Sequence, residues 1–203
     1  FTRASRRLGI VVVGRSFWEP QQNGFAPLAA EIASTRPDAV FLGVPSGGDT
    51  VRLLNHLRAR LGRAVQFIAP DVFDPAAAVL AGPAGEGMIF SQPGPANDKL
   101  TGDGKKFVAS FLDKFGAQPT RYAVAAAESI DVMLDAIGHS DGSRASVTRN
   151  LFATNISNGI LGSFSITPAG DTTLNVVTMY RIIDGKTQLM ETITVPDALV
   201  GRY

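Results

Sequence analysis

The residues best placed to do chemistry follow two apolar runs rich in β-branched and aromatic side chains. Ala39-Val40-Phe41-Leu42 opens into Gly43-Val44-Pro45-Ser46-Gly47-Gly48-Asp49-Thr50, and Val65-Gln66-Phe67-Ile68-Ala69 opens into Pro70-Asp71-Val72-Phe73-Asp74. In a parallel sheet the ligand sits outside the carboxyl ends of the strands, so the loops after such runs are where a site is expected. The first loop is glycine-rich and precedes a helix, so its backbone N–H groups can cradle an anion. It has two readings: a tight turn that needs glycine dihedrals, or ligand contact through Ser46 and the amides of Gly47 and Gly48. The second loop carries Asp71, whose carboxylate can accept from a ligand ammonium or hydroxyl group in a partly dry cleft. Asp71 also has two readings, because Asp71 or Asp74 can instead close a local Asx-turn or cap.

Other chemistries lack their residues. The glycine loop has neither the Gly-Lys-Ser/Thr ending of a phosphate loop nor the Gly-x-Gly-x-x-Gly of a dinucleotide site. No Gly-x-Ser-x-Gly elbow occurs, and neither histidine, His56 nor His139, follows a strand where it could act as a general base. Without cysteine there are no disulfides, thiol nucleophiles or thiolate metal sites, and the histidines have no metal-ligand spacing. No metal and no cofactor are expected, and both histidines read as surface or helix-end residues. Glu128, Asp131 and Asp135 share a helical spacing and read as a solvated face. The formal net charge is +1, and the arginines are spread singly or in pairs (Arg6 and Arg7, Arg58 and Arg60) as solvated surface, which argues against nucleic acid. No apolar stretch approaches the length of a membrane-spanning helix, roughly 20 residues. The reading is binding, not catalysis.

The elements that must position these loops alternate regularly. Ile10-Val11-Val12-Val13 has the composition of a strand buried on both faces. Apolar residues at helical spacing follow over 25–33, then the strand at 39–42, a helix from Asp49 (a reasonable N-cap) with Leu53, Leu54 and Leu57 on one face, and the strand at 65–69. A short helix at 75–80 and a strand at 87–90 complete the series. Strand–helix–strand repetition with short loops predicts α/β structure: a doubly wound parallel sheet with right-handed crossovers.

Beyond a Pro/Gly-rich loop at 91–103, three helices are predicted over 104–115, 120–137 and 143–153. Phe107, Val108, Phe111, Leu112 and Phe115 form the core stripe of the first, and Ile130, Met133, Leu134 and Ile137 that of the second. Strands follow at 163–166, 175–183 and 188–195, joined by turns at Pro168–Asp171 and Asp184–Lys186. This gives a return segment of helices and a β tail. The opening residues read as a helix tail ending at Gly9, so the chain is expected to be a fragment of something longer.

Several of these segments together resemble the type I periplasmic-binding proteins, in particular the branched-chain amino-acid-binding, or extracellular ligand-binding receptor, family. They are Asp38-Ala39-Val40-Phe41-Leu42-Gly43, Phe67-Ile68-Ala69-Pro70-Asp71 running into Gly85-Glu86-Gly87-Met88, the helix Ala126–Ile137, and Gly162-Ser163-Phe164-Ser165-Ile166 with Gly170-Asp171. The likeness is to the family's C-terminal half. It implies a two-lobed protein that closes on a small ligand, with 1–92 as an α/β unit of the second lobe, 93–162 returning to the first lobe, and 163–203 supplying crossover strands and tail.

Carried across residue by residue, the resemblance puts Asp71 where the family receives a ligand amino group. Pro45 and Ser46 fall where some members place an aromatic contact, and Ala127 falls where many have a cleft-facing Tyr; Phe73 can replace part of the lost apolar wall. Gly162 and Asp171 fall on the return strand and its turn.

The function implied is small-molecule, amino-acid-like ligand binding in a solute-binding or sensory receptor. Its partners would be an ABC transporter permease or a fused signalling domain, and its location extracytoplasmic, or cytoplasmic if fused to a regulator. An exposed half-cleft would favour a homodimer. The alternatives are an α/β scaffold or partner-binding domain with a vestigial cleft, and a small hydrolase or transferase using Asp71 with the glycine loop.

Overall fold

The structure is a computed structural model that describes residues 2–18, 24–43, 48–71 and 75–196, the side chains at 48, 75, 77 and 78 excepted. The chain divides into two compact units, one of Phe1–Gln92 with Thr178–Glu191 and one of Pro93–Val177 with Thr192–Tyr203.

In the first unit, helix α1 (Thr2–Arg7) ends at the expected glycine stop: Gly9 takes φ 71°, and Ile10 N–H reaches back to Ser5 C=O at 2.8 Å. Helix α2 (Ala26–Ser34), strand β1 (Ala39–Phe41), helix α3 (Gly48–Leu61), strand β2 (Gln66–Ala69), helix α4 (Pro75–Leu80) and strand β3 (Ile89–Pro93) follow in alternation. β1 pairs with β2 and β2 with β3, both parallel, as the crossovers require. The five-stranded sheet has the order β1-β2-β3-β6-β7, with β6 at Val176–Ile183 and β7 at Lys186–Thr194.

β3 and β6 run antiparallel, because Gly87 and Met88 bond with Ile182 while Gly94 bonds with Val176. The β6–β7 hairpin turns on Asp184 at φ 52° and Gly185 at φ 66°. Two successive left-handed residues are what a type I′ turn requires. The Glu86 carboxylate accepts from both turn amides, at 3.1 and 3.3 Å.

The core of this unit packs α2 and α3 onto the sheet through Phe25, Leu54, Leu57, Phe67, Met88 and Phe90, all fully buried. Arg58 departs from its reading as solvated surface. Its guanidinium lies 4.0 Å from the Phe67 ring centroid and donates to four backbone carbonyls, those of Gly62, Val65, Ala84 and Glu86. Burial first, and the neighbouring Arg63 charge second, pull its pKa below the ordinary arginine value. The side chain ties the end of α3 and the loop after it to the 3₁₀ turn at Gly82–Ala84 and to Glu86 beyond, a role that charge counting cannot reveal.

The first apolar run corrects the expectation of a buried strand. Residues Ile10, Val11 and Val13 are 54%, 79% and 54% exposed and belong to no strand. A β-branched run becomes a strand only beside another strand, and none lies next to this one among the described residues. β1 is likewise an edge strand with an exposed–intermediate–exposed pattern, not a fully buried one.

The second unit holds α5 (Gly102–Phe115), α6 (Arg121–Gly138) and α7 (Arg144–Phe152). It also holds the hairpin β4 (Asn155–Gly159) with β5 (Gly162–Ser165). Side-chain caps stand at the starts of α6 and α7. Thr120 accepts from Ala123 N–H at 3.1 Å and Ser143 from Ser146 N–H at 3.2 Å. Each satisfies a free first-turn donor. β4 adds a strand that the sequence does not announce, since Asn-Ile-Ser-Asn-Gly carries no strand signal; it is held by pairing Ile156 with Phe164.

The core stripe of α6 also differs from expectation. Val124, Glu128, Val132 and Ala136 face inward, while Ile130, Met133, Leu134 and Ile137 are exposed. On α5, Phe107 and Val108 pack against the small cluster of Leu100, Val124 and Ile160, but Leu112 and Phe115 are exposed.

Candidate functional site

The site face is set by register. In the β1–β2 ladder Phe41 lies opposite Ile68, and Leu42 N–H donates to Ile68 C=O at 2.7 Å as the last rung. Gly43 and Pro70-Asp71 therefore leave the sheet side by side, at the carboxyl ends of adjacent parallel strands. Helix α3 starts at Gly48, so its amino end directly follows the loop after β1. Asp49 lies inside that first turn, not at the cap, and pairs with Arg52 at 3.0 Å.

Asp71 is half-buried in the turn directly after β2. The other expected contacts, Pro45, Ser46, Gly47 and Phe73, lie outside the described residues, as does Asp74. The backbone thus brings the two expected loops to one edge, with a carboxylate on one and a helix amino end beside the other. Such a pair suits a ligand carrying both a hydrogen-bond donor and an anionic group. Among the described residues no group of His, Cys, Asp and Glu could hold a metal ion.

His56 is exposed on α3, edge-on to the Phe25 ring at 6.2 Å between centroids, and His139 ends α6. Asp131 and Asp135 are solvated as expected, but Glu128 is 4% exposed and accepts from Leu161 N–H at 2.7 Å. This carboxylate holds the β4–β5 turn onto α6, and Gly159 is needed there because a Cβ would come within 2.6–2.7 Å of its oxygens. The signal that could have shown it is position: Glu128 stands four residues after Val124 and four before Val132, on the face that is buried. Ala127 is half-buried against the same small cluster. Gly170 and Asp171 form a turn in which Thr167 N–H donates to Asp171 C=O at 2.7 Å.

The periplasmic binding protein family model matches residues 1–187. The chain belongs to this family, as a type I periplasmic binding protein. Solved structures agree on the fold of this binding-protein chain. A leucine-binding protein from Thermotoga maritima superposes with a TM-score of 0.81 at 24% identity, covering 95% of this chain and 54% of that one.

A leucine-, isoleucine-, valine-, threonine- and alanine-binding protein from Brucella ovis gives 0.75 at 18%, covering 95% and 53%. A solute-binding protein of an ABC transporter from Rhodopseudomonas palustris, in complex with p-hydroxybenzoic acid, gives 0.75 at 21%, covering 97% and 56%. This binding-protein chain therefore spans about half the length of the solved proteins it resembles. No curated protein matches it. The family is one of extracytoplasmic proteins that bind small molecules, and a small-molecule-binding role is supported here. Among the described residues no helix is long and apolar enough to cross a membrane.

Proposed function

We propose that this chain supplies ligand-contacting loops to a solute-binding or sensory receptor whose ligand carries a carboxylate and a hydrogen-bond donor. The observation that carries the reading is the β1–β2 register, which sends the Asp71 loop and the glycine loop off the same sheet edge. Asp71 accepts from the ligand ammonium or hydroxyl group. The amides of Gly47 and Gly48, with Ser46, receive its carboxylate, and Pro45 and Phe73 line an apolar wall. Leucine and p-hydroxybenzoate, the ligands named for two of the similar proteins, share this donor-plus-carboxylate chemistry. Binding would shift the receptor between open and closed states only by its differential affinity for the two. A transporter permease or a fused signalling domain would read that shift.

The test is a thermal-shift titration of the chain with leucine, p-hydroxybenzoate, benzoate and glucose at millimolar concentrations. A ligand that binds only the folded state raises the midpoint by mass action. Leucine or p-hydroxybenzoate should raise it, benzoate should raise it less for want of a donor, and Asp71→Asn should remove the difference. A flat response to all four compounds would favour the scaffold reading.

A further inference from the structure

The second unit holds a cavity of about 170 Å³ between the first turn of α6, the Pro93–Asn97 segment and the chain on either side of β5. All of its lining residues belong to that unit. Val124, Ala125, Leu161, Phe164 and Leu174 make an apolar wall, and no Asp or Glu lines it. One cation joins them: Arg121, the first residue of α6, which is half-buried.

The guanidinium is held in place but not neutralised. Its Nη1 donates to Pro95 C=O at 3.3 Å, and a Cβ at Gly94 would lie 3.5 Å from its Nη2. Gly94 takes φ 79°, a conformation that keeps a bare backbone beside the fork. The segment is anchored at both ends. Gly94 N–H donates to Val176 C=O at 2.7 Å, and Asn97 Nδ2 donates to Pro119 C=O at 2.8 Å, just before the Thr120 cap. Among the described residues Arg121 forms no ion pair. Arg58 shows the alternative: it is also half-buried, but four backbone carbonyls take up its donors. Arg121 keeps most of its fork available beside an apolar wall, the arrangement that receives a carboxylate through two parallel bonds.

We propose that this cavity is a second ligand site, separate from the loops after β1 and β2, and that it takes a small aliphatic monocarboxylate without an ammonium group. The Arg121 fork receives the carboxylate, to which the amino end of α6 adds positive potential. The hydrocarbon tail lies against Val124, Leu161 and Phe164. The volume sets the size of the ligand. At roughly 30 Å³ for each water-sized atom, the cavity accommodates about six non-hydrogen atoms, the number in butyrate. An α-amino acid is disfavoured, because its ammonium would lie beside a like charge and find no carboxylate in the wall. The site does not depend on the ligand reading of the Asp71 loop.

The test is an NMR titration of the backbone amides with butyrate, with butanol as its neutral counterpart and α-aminobutyrate as its amino-acid counterpart. Butyrate should give saturable shifts at Gly94, Ala125, Leu161 and Leu174 in the millimolar range, as a ligand of so few atoms allows. Butanol should bind at least about tenfold more weakly for want of the charge-assisted pair, and α-aminobutyrate likewise because of its unpaired ammonium. Arg121→Gln should weaken butyrate at least about tenfold, and Arg121→Lys should recover part of that loss through its charge alone. Asp71→Asn should leave the butyrate affinity as it is, so this site and the loop reading fail separately. Equal affinity for butyrate and butanol would overturn the proposal, as would full binding by Arg121→Gln or its loss in Asp71→Asn. The absence of saturation up to about 50 mM butyrate would overturn it as well.

Discussion

The two units solve the burial problem with unequal completeness, and the difference comes from what each apolar face finds to pack against. In the first, two helices close over a sheet and the core cluster takes in residues from α2, α3 and strands β2, β3 and β6. In the second, the cluster has three buried members, Leu100, Val124 and Ile160, and helix α6 presents a second apolar stripe to solvent. A helix that is apolar on more than one face is built for cover on both. The first unit therefore depends on packing and on one arginine clamp; the second depends on caps, a buried carboxylate and close glycine contacts.

That contrast can be broken experimentally. The largest effect is expected at Arg58. Arg58→Ala removes four hydrogen bonds and the stack on Phe67. The loss should lower stability by about 3 kcal/mol. Arg58→Lys should recover little of it, because an ammonium cannot reproduce the fork. Urea unfolding measures both, and a loss below about 1 kcal/mol would show that the clamp is not what holds the first unit.

In the second unit, Gly104→Ala drives a Cβ into the Ile160 carbonyl. By the same measurement it should cost about 2 kcal/mol. Glu128→Ala leaves Leu161 N–H without its acceptor. Its cost should be about 1.5 kcal/mol, that of one buried donor left unsatisfied. If both are silent, the β4–β5 hairpin is not docked on α5 and α6 as described.

A smaller effect is expected at Asp141. It accepts from Ser143 N–H at 2.8 Å just before α7, and hydrogen bonding from Ser143 lowers its pKa below the ordinary 3.8. A depressed carboxylate stabilises the fold above its unfolded pKa, and that contribution fades as pH falls through the folded pKa. The melting temperature of Asp141→Asn should thus lie slightly below wild type at about pH 6, with the gap closing below about pH 4. A gap that persists in acid would assign the effect to something other than the charge. The smallest effect is expected at Leu134→Lys, because the side chain is already exposed. Stability should stay within about 0.5 kcal/mol of wild type. A clear loss would mean that the stripe is covered in solution.

The same contrast explains how far the sequence can be read. Local signals survive folding: Gly9, Thr120 and Ser143 end or begin helices as predicted, and Asp184-Gly185 turns the β6–β7 hairpin. The order of strands and helices is legible for the same reason, since period and turn chemistry are written in short windows.

What fails depends on distant partners. Ile10–Val13 and Ile130–Ile137 have the right composition for a buried strand and a core stripe, yet burial needs a neighbour that no local pattern specifies. Arg58 and Glu128 read as surface in the sequence because the carbonyls and amide they bind come from 4 to 33 residues away. β4 is made by its pairing with β5, not by its own residues. At the candidate site, the placement of Asp71 after a strand is legible; the set of contacts around a ligand is not, because it is assembled from separate loops.

The most direct test of the central claim is an NMR titration of the chain with leucine and p-hydroxybenzoate, comparing wild type with Asp71→Asn. Saturable shifts are expected at Gly43 and Asp71 and none at the Asp184-Gly185 turn. In Asp71→Asn the affinity should fall at least about tenfold, the worth of one charge-assisted hydrogen bond. An unchanged affinity in the variant, or shifts confined to residues away from the carboxyl ends of β1 and β2, would contradict it.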